Sequence, residues 1–195
     1  MIVRERHDPE HSTPESVKRH RRRYLYAIEL AKDYGVPEGG IWWDVACGTG
    51  YGTVLMPGDI TVGVDRDPQV IREATERYPD APFAVADVGC AAWFADLTPM
   101  RPDVMLSIET LEHMDVYEQH AFLMGAAAAL NGGTLVLACP LNTGVPTNNP
   151  WHRHEPTETQ LRQLLARHFD EVLHFESDEY ESSSGPAVQA YAVAR

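Results

Sequence analysis

Along this 195-residue chain, short apolar runs alternate with longer stretches whose apolar positions fall three or four residues apart. Runs of the first kind read as strands and stretches of the second kind as helices. Residues 12–34 form the first predicted helix, since Tyr24, Ile28 and Ala31 share a face. Ser12 or Thr13 can cap it, Pro14 suits its first turn, and Gly35 followed by Pro37 ends it. After Gly39-Gly40, the run Ile41-Trp42-Trp43-Asp44-Val45-Ala46 reads as a buried strand leading into Cys47-Gly48-Thr49-Gly50-Tyr51-Gly52. Strands follow at 60–65, 83–87, 104–108 and 134–139, with helices at 68–78 and 116–130 and a helical stretch near 91–95. A Pro/Asn-rich loop, 140–156, precedes a helix at 157–168, and strands at 171–175 and 188–194 close the pattern.

Strands alternating with helices imply an α/β fold, a mostly parallel sheet with helices on both faces. The length suits a single domain over residues 1–195, with 1–38 as an N-terminal helical cap. The 140–156 loop is long for a compact domain, and such loops are usually functional. A 44% hydrophobic content is too high for a disordered chain. No window reaches the roughly 18 uninterrupted apolar residues of a membrane span, and residues 1–14 lack the apolar core of a secretory signal. Cys47, Cys90 and Cys139 form no paired framework, so reduced thiols in a cytoplasmic protein are expected. A net charge of −13, from 16 basic and 29 acidic side chains, disfavours nucleic acid as a partner. The basic run 18–23 has a solvated helix face as its plainer explanation.

Ligands of doubly wound sheets bind at the carboxyl ends of the strands. After the first strand come Asp44 and the turn Gly48-x-Gly50-x-Gly52, whose glycines admit close approach of a ligand to the backbone. The spacing differs from the G-x-G-x-x-G of dinucleotide enzymes. Asp65 ends the second strand, where a carboxylate can accept both hydroxyls of a ribose. Asp87 ends the third, where it can accept from an exocyclic amine. In this order of motifs, from Asp-Val-Ala-Cys-Gly-Thr-Gly-Tyr-Gly through Gly63-Val64-Asp65 and Ala86-Asp87 to Asp103–Glu109, the chain resembles the class I S-adenosylmethionine-dependent methyltransferases. The resemblance implies a Rossmann-like seven-stranded sheet whose last strand is antiparallel. It also implies a cofactor site formed by Asp44, Ala46, Cys47, Gly48 and Gly50, by Asp65 and Arg66 at the ribose, by Asp87 and Val88 at the adenine, and by Ile108. The segment 51–57 is about a turn short for the usual first helix of that family.

Glu109-Thr110-Leu111-Glu112-His113 follows the fourth strand. On a helical turn, Glu109, Glu112 and His113 share a face. Glu and His together suit Mg²⁺ or another divalent ion. Trp151-His152-Arg153-His154-Glu155 lies in the long loop. A similar Glu-x-x-Glu-His with a downstream histidine occurs in metal-dependent small-RNA 3′-terminal 2′-O-methyltransferases, and Glu-x-x-Glu-His alone in ubiquinone-pathway O-methyltransferases. By that resemblance the ligands are Glu109, Glu112, His113 and His152, with His154 as a spare. The same motif also occurs in methyltransferases without a metal, where the histidine lines the pocket.

The expected activity is methylation of a hydroxyl on a small molecule such as a sugar, phenol or natural-product intermediate, by a monomer or homodimer. His113 can serve as base, with Glu109 beside it, or a metal can acidify the hydroxyl. Trp151, His152 and His154 are the candidate substrate contacts. Tyr24 and Arg23 of the first helix are candidates to touch the cofactor, Arg23 by pairing with its carboxylate. The alternatives are a nucleic-acid 2′-O-methyltransferase and a binding protein that holds S-adenosylmethionine without turnover.

Overall fold

A computed structural model describes residues 12–36, 38–97, 101–144, 149–182 and 185–195. The start of the expected N-terminal cap (1–11) and part of the 140–156 loop (145–148) lie outside these. Seven strands form one sheet: β1 Ile41–Val45, β2 Ile60–Asp65, β3 Phe83–Val85, β4 Val104–Ile108, β5 Thr134–Leu141, β6 Val172–Ser182 and β7 Gly185–Ala194. Their order is β3-β2-β1-β4-β5-β7-β6. β1 to β5 pair in parallel, and β7 runs antiparallel to both β5 and β6. This is the Rossmann-like α/β sheet implied by the motif order. The chain reverses its direction of travel across the sheet between β1 and β4, which opens a crevice at their carboxyl ends.

Helix α1, Pro14–Asp33, begins at Thr13, whose side chain accepts from Ser16 N. Its buried face, including Tyr24, Ala27, Ile28 and Ala31, packs on Trp42, Leu106, Ile108 and Val136. On the opposite face lie α3, Val116–Leu130, and α4, Glu158–His168, which cover Trp43, Val45, Met105 and Leu135. Both begin with reciprocal capping boxes, Asp115 with Glu118 and Thr157 with Gln160. α2, Pro68–Arg77, is capped by Asp67. Among the described residues, no helix is long and apolar enough to cross a membrane.

Three elements differ from the sequence expectation. The connection after the glycine turn holds a single 3-10 turn, Thr53–Leu55, instead of a short α-helix. Pro57-Gly58 and the pairing of Ile41 with Ile60 leave no room for more. The helical stretch near 91–95 is a series of turns ending in a 3-10 turn at Ala95–Leu97. Finally, β6 continues well past residue 175. It is an edge strand with acidic side chains such as Glu176, Asp178 and Glu179, so its polar sequence hides the pairing with β7.

Gly52 sits where α1 meets the glycine turn. A Cβ there would stand 2.2 Å from Tyr24 Cζ, inside a ring that is 2% exposed. Gly52→Ala is therefore expected to cost about 1–3 kcal/mol by overpacking, read from denaturant midpoints at unchanged m-value.

Candidate functional site

Two central strands end in the same unusual way. β1 is followed by Ala46 at φ +61°, and β4 by Glu109 at φ +54°. Left-handed conformations in non-glycine residues cost roughly 1 kcal/mol or more and cluster at functional sites. Here they turn the chain away from the sheet on both sides of the crevice, and Gly48 and Gly50 (φ +55° and +81°) continue the turn after β1.

Below the turn, Asp44 is fully buried. Its carboxylate accepts from Tyr24 Oη at 2.9 Å and from Thr53 Oγ1 at 2.7 Å, so one side chain fastens α1, β1 and the 3-10 turn together. Burial pushes the Asp44 pKa up to about 6, against the lowering effect of these two hydrogen bonds. Burial likewise raises the Tyr24 phenol well above its ordinary range, with Asp44 adding to the effect. The Cys47 thiol, also buried, is pushed up and stays protonated. Cys47, Cys90 and Cys139 are all unpaired thiols. Asp65 accepts from Gly48 N at 3.1 Å and Asp67 N at 2.9 Å, which fixes it beside the turn. Each oxygen keeps a second lone pair for a ligand.

The crevice holds a cavity of about 400 Å³. Tyr24, Ala46, Cys47 and Gly48 line it together with Asp65 and Arg66. Asp87 and Val88 line one end, and Ile108, Glu109, Glu112 and His113 the other, beside Trp151 and His152. Two expected cofactor residues stand behind the wall: Asp44, as described, and Gly50, where a Cβ would meet Phe83 and Ala74. The sequence reading passed over His20, Tyr51, Thr110, Glu118 and Arg153, which also face the cavity. Tyr51 lies within the glycine motif itself, and His20 sits one helical turn before Tyr24; both signals were available.

At the β4 end, Glu112 and His113 occupy a 3-10 turn, Leu111–His113. Donor atoms of Glu112, His113 and His152 lie within 4.8 Å of one another. His113 Nδ1 is 3.1 Å from Trp151 O, and its Nε2 is 3.9 Å from Glu112 Oε1. His152 Nδ1 meets Glu155 Oε1, and its Nε2 is 2.9 Å from Asn149 Nδ2. A carbonyl and a carboxylate at the two Nδ1 atoms favour hydrogens there. Nε2 is then the acceptor atom of each ring, and in His152 it takes a hydrogen from Asn149 Nδ2; a partner at Nδ1 is the usual second-layer arrangement of metal-binding imidazoles. The backbone carbonyl of Glu112 accepts from Arg153 N (2.8 Å) and His154 N (3.2 Å), which ties the long loop to this turn.

Three sequence expectations are corrected here. Glu109 does not share a helical face with Glu112 and His113, because its left-handed backbone precedes the 3-10 turn. It ion-pairs with Arg23 Nη1 at 3.0 Å instead of joining the Glu112 cluster. Arg23, 5% exposed and stacked over Tyr180, is therefore engaged with protein rather than directed at a ligand. His154 is not at the cavity: it lines a separate cleft between α3 and α4, and Gln119 Nε2 holds its carbonyl at 2.8 Å.

Residues 43–137 match a family model described as a methyltransferase domain. The trans-aconitate 2-methyltransferase of Variovorax paradoxus (strain S110) is 30% identical over 152 residues, 71% of this chain and 57% of that protein. Over residues 43–137 this chain's sequence is thus similar to that of a methyltransferase domain. A second trans-aconitate 2-methyltransferase, from Rhodopseudomonas palustris (strain HaA2), is 27% identical over 155 residues, covering 72% and 58%. The chain thus spans a little over half the length of the curated relatives it matches. In fold it resembles a SAM-dependent methyltransferase from Methanosarcina mazei (TM-score 0.69, 17% identity, 85% of this chain and 95% of that one). It also resembles the magnesium protoporphyrin IX methyltransferase of Synechocystis PCC 6803 solved with bound SAH (TM-score 0.69, 16% identity, 94% and 88%).

The Asp44 clasp carries a pH signature. Its pKa is about 6 when folded, against about 3.9 in an unfolded chain. The raised value means that its stabilising contribution is fully present below about pH 4 and is lost as pH rises through 6. Relative to Asp44→Asn, the wild type should gain about 2 kcal/mol between pH 7.5 and pH 4. Paired denaturant titrations across that range measure the difference.

Proposed function

We propose that this chain transfers the methyl group of S-adenosylmethionine to a hydroxyl of a small, uncharged molecule, and that a divalent ion held by Glu112, His113 and His152 assists. The cofactor reading is supported by the match of residues 43–137 to a methyltransferase domain, by the glycine turn, and by Asp65 fixed beside it to accept ribose hydroxyls. The single observation that carries the acceptor reading is the Glu112–His113–His152 cluster at the far end of the same cavity. Its donor set of one carboxylate and two imidazoles suits a borderline divalent cation.

A sulfonium methyl is already electrophilic, so the protein's work is to align the acceptor oxygen and exclude water. When bound, an ion would lower the pKa of a coordinated hydroxyl. Glu112 brings the negative charge that holds the cation. Trp151 O and Glu155 keep the two imidazoles oriented through their Nδ1 atoms. In the absence of an ion, His113 is the cavity residue whose imidazole can receive the acceptor's proton.

The curated relatives are named for trans-aconitate, a polyanion. Glu109 and Glu112 both line the acceptor end of this cavity, and carboxylates there disfavour a polyanion. An ion held there would favour an acceptor with neighbouring hydroxyls able to chelate it. The overall charge of −13 favours a small molecule over nucleic acid.

Thermal and chemical unfolding with S-adenosylhomocysteine, with and without Mg²⁺, Mn²⁺ or Zn²⁺, tests both halves. At 100 times its dissociation constant the nucleoside should add about 2.7 kcal/mol. At least one of the metals should add a further increment that chelator reverses and that His113→Ala or His152→Ala abolishes. An increment from nucleoside alone removes the ion from the reading. No response to nucleoside removes the methyltransferase reading.

A further inference from the structure

A second cleft, of about 180 Å³, lies between α3, α4 and the end of the long loop. No described residue lines both it and the main cavity. Drug-sized ligands fill roughly 300–1,000 Å³, so this cleft has room for a compact ion and too little for a nucleotide.

Its lining carries one sign of charge. His120 comes from α3, Arg167 from the last turn of α4 and His154 from the loop, and no acidic residue is among the described residues that line the cleft. The carboxylates of the adjoining segments are turned to other partners: Asp115 and Glu118 to Arg153, Glu155 to His152, and Glu158 to Arg162. In a chain of net charge −13 the cleft is a local reversal of sign, and a concave lining of one sign concentrates ions of the other.

The polar groups are poised to donate. Gln160 spends its Oε1 on Thr157 N at 2.8 Å, which leaves its amide N–H groups for a ligand. His120 Nδ1 lies 3.0 Å from His168 Nε2. Burial, followed by the charges of His120 and Arg167, holds the His168 pKa below its ordinary value, so His168 is the neutral acceptor of this pair and His120 the donor. The Nε2 of His120 is then the atom that takes up a proton and presents it to an anion.

The loop wall of the cleft is tied to the turn that carries Glu112 and His113. His154 N donates to Glu112 O at 3.2 Å. Gln119 Nε2 donates to both His154 O (2.8 Å) and Leu111 O (2.9 Å). His152, two residues earlier, stands in the main cavity.

We propose that the cleft between α3 and α4 binds a compact oxyanion, phosphate or a small dicarboxylate, through Arg167, His120 and His154, and that the bound anion steadies residues 149–155 against the Leu111–His113 turn. The site is independent of what the main cavity holds.

Calorimetry on the full chain at about pH 6.5, where imidazoles take up protons, tests the site with inorganic phosphate and with malonate, at constant ionic strength set by chloride. At least one of the two should bind saturably, and the tighter one identifies the source of the oxyanion. Arg167→Gln and His120→Gln should each weaken it about tenfold, the range for a hydrogen bond to a charged group. Arg167 is exposed, so Arg167→Gln should keep the wild-type unfolding midpoint in chloride and report that the fold is intact. Hydrogen exchange tests the coupling: the anion should slow the Arg153 and His154 amides in the wild type and leave them unchanged in Arg167→Gln. If neither anion binds, or if either variant keeps full affinity, the site is overturned. If an anion binds and the two amides exchange as before, the coupling to the loop is overturned.

Discussion

Asp44 is a carboxylate with no exposure to solvent, at the end of a central strand, held by two hydroxyls from different parts of the chain. A buried charge left without partners would be far more costly than either hydrogen bond is worth. Tyr24 and Thr53 therefore have to be where they are, and α1 and the turn after β1 are carried with them. Gly52 follows from the same constraint, since the Tyr24 ring fills the space that any side chain there would need. The floor of the crevice is thus fixed by a residue that never reaches the ligand cavity. What lies above it, the backbone of Cys47 and Gly48 with Asp65 bonded to Gly48 N, takes its position from that floor.

Charge in the cavity is arranged in pairs rather than spread. Glu109 is set against Arg23, and Arg153 is set against Asp115 and Glu118. Glu112 has imidazoles as its cavity-side neighbours, His113 beside it and His152 beyond. That difference separates the two glutamates of a motif that looks symmetrical in sequence. One is set against a guanidinium and the other lies among imidazoles. The backbone makes the division, because Glu109 adopts a left-handed conformation and so leaves the 3-10 turn that carries Glu112 and His113.

Much of this was legible in the sequence because it is local. Apolar runs ending in Asp44, Asp65, Asp87 and Glu109 gave the strands and the edge at which a ligand sits, and Gly48 and Gly50 marked the turn. The periodicity of α1 and α3 followed from Tyr24, Ile28 and Ala31 and from the alanine-rich stretch before Asn131. Pairings between distant segments were not legible. Nothing near Arg23 announces Glu109, and nothing near His20 announces Tyr51. The second half of β6 lacks an apolar pattern, because on this edge strand Asp178 and Glu179 are exposed and Glu176 is bound by Tyr26 and His174. His154 is separated from the site because the loop leaves the cavity after Arg153: residues 150–153 line the cavity and His154 lines the cleft behind it.

The central claim is that the crevice between β1 and β4 seats an adenosyl nucleoside on the glycine turn. A crystal structure of the chain grown with saturating S-adenosylhomocysteine tests it most directly. The account predicts ribose hydroxyls on the Asp65 carboxylate, the adenine beside Val88, and the thioether sulfur over the end of β1. A nucleoside bound elsewhere, or a crevice that stays free of it at saturating concentration, would contradict the account.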